Sequence, residues 1–185
     1  MNLLVSACLL GIGCKYSGGD NLCPALVSAL QSGGHTVVPV CPEVYGGLPT
    51  PRPPAERQGS RVVTEAGADV TAQYRKGAEA ALALYRLCGC QAAVLKANSP
   101  SCGCGCIYDG SFTHTRVPGG GVAAPLLEAA RRLADPQLPA LLHRQLEKGL
   151  PFAAARAAAL EQLHPGCAEV LARPNDLLGV EYCRA

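Results

Sequence analysis

The chain has 185 residues, of which 49% are apolar and only 16% are charged, so it has the composition of a globular protein and not of a disordered one. Sixteen lysines and arginines against fourteen aspartates and glutamates leave a net charge of +2. This charge is too small for a nucleic-acid-binding protein, and the apolar runs are too short for a membrane span.

The predicted elements alternate between strands and helices along the first two thirds of the chain. The predicted strands are short apolar or β-branched runs over residues 3–8, 35–40, 92–96 and 106–108, with a hairpin or extended turn at 62–67. The predicted helices have apolar residues at helical spacing and run over residues 22–32, with Asp20 or Asn21 as the cap, 71–87 and 122–133. This alternation predicts an α/β fold with a three-layer, mostly parallel, Rossmann-like sheet.

From residue 135 onward the sequence changes in character and predicts helices alone, over residues 137–148, 152–163 and 167–172. We therefore expect two parts, an α/β domain over residues 1–134 and a helical C-terminal extension over 135–185. The first five residues lack the basic start of a secretory signal, so we expect a cytoplasmic protein.

The eleven cysteines are the unusual feature of this composition. In a cytoplasmic chain, cysteines more often bind metal or act in catalysis than form disulfides. Cys8 and Cys41 end the first two predicted strands, and Cys102 follows the third. Because ligands of open parallel sheets bind at the carboxyl ends of the strands, these three thiols are expected to converge. Three converging thiols suit an iron–sulfur cluster or zinc, although each is also typical of a small buried apolar residue.

The segments around these cysteines resemble the thiouracil desulfidase family, formerly a domain-of-unknown-function family. The resemblance covers about residues 1–128 and is carried by Val5–Gly11, Val38–Glu43, Gly46–Pro54, Lys96–Gly103 and Ile107–Phe112. It implies an α/β protein that holds a [4Fe-4S] cluster by three cysteines at the carboxyl ends of the strands, here Cys8, Cys41 and Cys102. The fourth iron is then open to the sulfur of a thiolated nucleobase or nucleoside.

The resemblance also implies two kinds of catalytic residue. The glutamate corresponds to Glu43, which follows Cys41 by two residues and can accept a proton from water. The serine corresponds to Ser99 or Ser101, whose hydroxyl can hold that water or stabilise an oxyanion. We favour Ser101 because it directly precedes Cys102. The implied reaction is a non-redox hydrolysis of thiouracil to uracil with release of sulfide.

Two other functions stay open on the sequence alone. The cluster of a redox or sulfur-transfer protein would cycle electrons, and a zinc-binding module without enzymatic activity would use the cysteines of the CGCGC run, Cys102, Cys104 and Cys106. We expect Cys104 and Cys106 to be spectators and Cys14 to be a reserve ligand. Arg52, in a proline-rich loop, is expected to meet a base carbonyl or a phosphate, or to be solvated. The sequence allows a homodimer.

Overall fold

The fold comes from a computed structural model, which describes residues 1–133, 135–163 and 165. The chain forms two compact units, Met1–Leu127 and Glu128–Ala185. The strands are β1 (Asn2–Ser6), β2 (Thr36–Val40), β3 (Ala55–Gln58), β4 (Arg61–Thr64), β5 (Ala92–Val94), β6 (Cys106–Tyr108) and β7 (Arg116–Pro118). The α-helices are α1 (Pro24–Ser32), α2 (Pro42–Tyr45), α3 (Thr71–Leu87), α4 (Ala123–Leu133), α5 (Leu138–Glu147) and α6 (Phe152–Leu163).

A three-stranded parallel sheet lies at the centre of the first unit, with β1 between β2 and β5. In the register of this sheet, Leu3 lies opposite Val37 on one side and Ala92 on the other. The neighbours on both edges of β1 pair its backbone, and its apolar side chains are buried on the faces of the sheet, where Leu3 and Val5 pack with Leu30 of α1 in one cluster. The predicted α/β fold with a parallel sheet is confirmed.

The carboxyl ends of the strands differ in detail from the prediction. β1 ends at Ser6, because residues Ala7–Leu10 form a 3-10 helix that closes at Gly11 with φ 87°. A positive φ of this size is the left-handed conformation that glycine adopts without steric cost. Cys8 therefore lies in a tight helical turn after the strand and not at the end of the strand itself.

Helix α1 begins later than predicted, at Pro24, with Cys23 as its N-cap. Proline is favoured at the first helical position, where its missing N–H would have no partner in any case. The predicted cap at Asp20 or Asn21 is wrong: the Asp20 carboxylate accepts a bond of 2.9 Å from the backbone N–H of Leu22, which makes a turn before the helix.

Two antiparallel hairpins lie outside the parallel sheet, β3 with β4 and β6 with β7. The sequence predicted β6 and a hairpin or extended turn at residues 62–67, and it missed β3 and β7. The predicted turn is present, because the backbone N–H of Thr64 donates to the Ala68 carbonyl at 2.9 Å and Val63 pairs with Asp69. The missed strand β3 pairs with β4 before this turn, with Gln58 opposite Arg61. The predicted helix over residues 167–172 lies outside the described residues.

The described part of the second unit is helical, as predicted. Helices α5 and α6 pack against each other, and the connection between them contains Gly149 at φ 81°. Within residues 1–133, 135–163 and 165, no helix has both the length and the apolar character that a membrane crossing requires.

Candidate cluster site and active site

The three cysteines expected to converge line one cavity of about 300 Å³. Cys8 lies in the 3-10 helix after β1, and Cys41 directly follows β2 as the N-cap of α2. Cys102 lies in the loop between β5 and β6 and is buried. All three enter the cavity beyond the carboxyl ends of parallel strands, the usual place for a ligand in this class of sheet.

A fourth thiol, that of Cys14, lines the same cavity. It is buried in a cluster with Ala7 and Cys8, against which Cys41 packs, and the Cys41 Sγ donates to the Cys14 carbonyl at 3.6 Å. Burial and the neighbouring Cys41 raise the pKa of the Cys14 thiol to about 12. Cys14 therefore borders the site as a protonated thiol at neutral pH.

The Cys102 thiol is also unlike a thiol in water. Burial raises its pKa to about 12, although a hydrogen bond with the Ser6 hydroxyl acts in the opposite direction. A metal or cluster takes the deprotonated thiolate, so loading at this position releases a proton.

Glu43 lies in α2, directly beyond Pro42, and lines the cavity. Its carboxylate oxygen Oε2 accepts a bond of 2.8 Å from Nε of Arg52 and lies 2.7 Å from the terminal nitrogen Nη2. Of the two expectations for Arg52, the solvated position is wrong, and a contact with a base carbonyl or a phosphate stays a prediction. Arg52 is 8% exposed and turns inward because Glu43 offers its buried guanidinium a carboxylate.

The structure brings Ser99 to the glutamate. The Ser99 hydroxyl donates to Oε1 of Glu43 at 3.4 Å and accepts from the backbone N–H groups of Ser101 and Cys102, at 3.1 and 3.2 Å. Ser99 lines the cavity, whereas Ser101 is fully buried and does not line it. The turn closed by the bond from Gly103 N to Ser99 O places these serines in different surroundings.

Two further residues of the cavity were missed by the sequence reasoning. Tyr74 of α3 is 2% exposed, and burial together with the charge of Glu43 raises the pKa of its hydroxyl. The helical spacing of the buried residues could have identified Tyr74, because it lies one turn before Ala78 on the buried face of α3. Asn98 lines the cavity with φ 61°, a left-handed conformation that asparagine tolerates, and its signal was its place in the Lys96–Gly103 segment of the resemblance.

His114, which follows Phe112 and Thr113 in a loop, also lines the cavity. It has φ 60° and packs edge-on against Tyr108, with 6.1 Å between the ring centroids. Together with Tyr16 and Tyr74, these two side chains give the cavity wall four aromatic rings, which suit the flat face of a planar heterocycle.

The chemistry of the donors fits an iron–sulfur cluster, because the cavity is lined by several thiols and such clusters are held by cysteine thiolates. Within residues 1–133, 135–163 and 165, no three His, Cys, Asp or Glu side chains are grouped closely enough to hold one metal ion. Cys104 is exposed, and neither Cys104 nor Cys106 lines the cavity, so the CGCGC run forms no metal clamp there.

These features define a class: an α/β protein with a thiol-lined cavity at the carboxyl edge of a parallel sheet, beside an ion-paired carboxylate and a serine. A sequence profile described as 2-thiouracil desulfurase matches residues 3–134. The chain belongs to this family, and the predicted resemblance is confirmed.

Two individual proteins support the family assignment. The chain is 40% identical over 138 residues to "Uncharacterized protein YbbK" of Bacillus subtilis (strain 168), covering 69% of this chain and 90% of that protein. It is also similar to a solved structure described as a [4Fe-4S]-dependent thiouracil desulfidase, TudS. That match has 47% identity and a TM-score of 0.65, and it covers 76% of this chain and 94% of TudS.

Proposed function

We propose that this chain is a [4Fe-4S]-dependent desulfidase that converts a thiolated pyrimidine, thiouracil in the first instance, to the oxygen-containing base and sulfide. One observation carries the proposal: thiols from three separate loops line a single cavity in which Glu43 and Ser99 are within hydrogen-bond distance of each other. The family and the similarity to TudS support the same activity.

In this proposal Cys8, Cys41 and Cys102 hold the cluster. When bound, the cluster supplies an iron with an open position, a soft Lewis acid that polarises a thiocarbonyl group through its sulfur. Cys14 borders the same cavity, and we assign it as a neighbour of the cluster because the ligands implied by the family resemblance are Cys8, Cys41 and Cys102.

In this proposal, side chains of the cavity deprotonate and orient the attacking water. Oε1 of Glu43, the oxygen that Arg52 does not contact, accepts a proton from water as the water oxygen bonds to the carbon that carries sulfur. Ser99 donates to the same oxygen and can orient the water or stabilise the developing oxyanion. The carbon–sulfur bond then breaks, and both protons of the water leave with the sulfur as hydrogen sulfide. The reaction therefore consumes one water and no electrons.

The test is turnover after anaerobic reconstitution with iron and sulfide. We expect 2-thiouracil to yield uracil and sulfide in equal amounts without any electron donor or acceptor. Sulfide release that requires an electron donor would favour the redox or sulfur-transfer function. A colourless protein that retains zinc and shows no turnover would favour the zinc module.

The ligand set makes a separate prediction about iron content. Cys8→Ala, Cys41→Ala and Cys102→Ala should each prevent stable cluster binding, because two thiolates remain from three. Iron and acid-labile sulfide per chain, with the visible absorption band, measure this loss. Cys23→Ala and Cys14→Ala are the matched controls and should keep the cluster. Full iron content in any of the first three variants would remove that cysteine from the set.

The substrate in this proposal is a thiolated base or nucleoside. A comparison of the rates of sulfide release from 2-thiouracil and from its nucleoside tests which of the two is preferred.

We further propose that the chain works in the cytoplasm. The nine cysteines in the described residues are all free thiols, as a reducing compartment maintains them. The homodimer stays a prediction, which light scattering of the reconstituted protein checks.

A further inference from the structure

We propose that Arg52 is a positioning residue for the reaction: it fixes one oxygen of Glu43 so that the other oxygen faces Ser99 and the water. This inference rests on the proposed function and adds a residue to its machinery.

All three nitrogens of the Arg52 guanidinium have protein partners. Nε donates to Oε2 of Glu43, and Nη2 lies 2.7 Å from the same oxygen and donates to the Cys14 carbonyl at 3.0 Å. Nη1 donates to the Pro49 carbonyl and to the Thr50 hydroxyl, both at 3.1 Å. These contacts fix the guanidinium against the protein, and its one charged partner among them is Glu43. Arg52 therefore acts through Glu43.

The two carboxylate oxygens of Glu43 consequently have separate tasks. Oε2 is held by two guanidinium nitrogens, whereas Oε1 accepts the longer bond of 3.4 Å from Ser99, and the Tyr74 hydroxyl also hydrogen-bonds with the Glu43 carboxylate. A carboxylate held at one oxygen by a guanidinium fork cannot rotate freely. The remaining oxygen is thereby oriented before the substrate arrives, and this preorganisation is what a general base requires.

Burial makes this ion pair rigid. The side chains of Arg52 and Glu43 are 4% and 13% exposed. Although burial opposes the guanidinium charge, the carboxylate outweighs it and raises the pKa of Arg52 above its usual value. A buried charge that loses its partner is left unpaired at considerable cost, so the two side chains hold each other in place.

The same contacts link the base to a cluster ligand. The Cys14 carbonyl accepts from both Arg52 and the Cys41 thiol, and the backbone N–H of Arg52 donates to the Tyr16 carbonyl at 2.8 Å. The loop that carries Cys14 and Tyr16 therefore supports the glutamate and Cys41 together. Partners of this kind, one shell away from a metal site, typically change activity 10- to 100-fold when removed.

The experiment is a double-mutant cycle at equal cluster content. Arg52→Met should lower kcat for 2-thiouracil by roughly 10- to 100-fold with little change in KM. In the Glu43→Gln background, the same substitution should cause almost no further loss, because the carboxylate it positions is absent. Arg52→Lys should retain an intermediate kcat. Arg61→Met is the matched control: Arg61 pairs with Asp69 at 2.9 Å on the exposed hairpin, and its loss should leave kcat unchanged.

A second measurement does not depend on turnover. In urea unfolding of the cluster-free protein, Arg52→Met and Glu43→Gln should shift the midpoint non-additively, since each removes the same buried pair. Additive midpoint shifts, equal kcat losses in both backgrounds, or a raised KM with unchanged kcat would each overturn the proposal. A wild-type protein that releases no sulfide would instead refute the proposed function, and the role of Arg52 with it.

Discussion

At the scale of single residues, the reaction depends on which hydroxyl meets the carboxylate. Because Ser101 directly precedes Cys102, the sequence favoured it as the catalytic serine. Nearness along the chain does not determine where a side chain points, however. Ser99 turns toward Glu43, whereas the Ser101 side chain is buried beside the Cys102 thiol. The two serines therefore have distinct expected roles, one in the cavity and one behind the ligand.

Substitution of the serines separates these roles. Ser99→Ala should keep the cluster and lower the rate of sulfide release by roughly 10²-fold or more, because it removes a group that orients water or the oxyanion. Ser101→Ala should instead affect cluster retention, because Ser101 is fully buried directly before the ligand Cys102. Sulfide release at equal cluster occupancy, with iron loss followed over time, measures both effects. The reverse pattern would return the catalytic role to Ser101.

The sequence predicted the thiols of the site but not the side chains that position them. Cys8, Cys41 and Cys102 follow strands, and parallel strands bring their carboxyl ends together whatever the loops do. The ion pair of Arg52 and Glu43 could not be predicted from the order of the strands. It depends on how a proline-rich loop folds back over α2, and the periodicity of helices and strands carries no information about such a contact.

At the scale of elements, the site depends on how closely α2 approaches α3. Gly77 of α3 lies directly against the Pro42 carbonyl, so a methyl group at position 77 would overlap it. Pro42 lies between Cys41 and Glu43, and Tyr74 lies one turn before Gly77. The close approach of the two helices therefore sets the ligand, the base and the tyrosine at one wall of the cavity.

Gly77→Ala tests this packing, because the sign of the change in the free energy of unfolding depends on whether the two helices touch at position 77. In an exposed helix, alanine is favoured over glycine by about 1 kcal/mol. At position 77 we expect the opposite, a loss of ~1–3 kcal/mol in the free energy of unfolding, because the added methyl forces the helices apart. Urea unfolding measures the change, and Glu79→Ala on the exposed face of α3 is the control, with a change within about 0.5 kcal/mol. Stabilisation by Gly77→Ala would show that the helices do not touch there.

Periodicity predicted the long elements well and the short ones poorly. Helix α3 has the predicted bounds, residues 71–87, because its buried face recurs over several turns. The 3-10 helix after β1 and the strand β7 are too short for any period to mark them. Their backbones are fixed by contacts between distant segments, such as the pairing of Ile107 with Val117.

At the scale of the whole molecule, the site and the C-terminal helices are separable in sequence. Each residue assigned to the cluster or to catalysis lies between Cys8 and Cys102, and the family match ends at residue 134. The compact units divide at residue 127, within α4. We propose that residues 1–134 form the desulfidase domain and that residues 135–185 are an extension with a separate role.

Truncation at two positions tests this organisation. A chain of residues 1–134 should fold, take up the cluster and release sulfide from 2-thiouracil at an undiminished rate per cluster. A chain that ends at residue 121 should fail, because Ala123 and Leu127 of α4 are 0% and 3% exposed and belong to the first unit. The backbone N–H of Ala123 also donates to the Ser101 carbonyl at 2.9 Å, next to the ligand Cys102. Circular dichroism, iron content and sulfide release compare both fragments with the full chain. If the 1–134 chain is folded but takes up no cluster, the extension is required for the site and the proposed division is wrong.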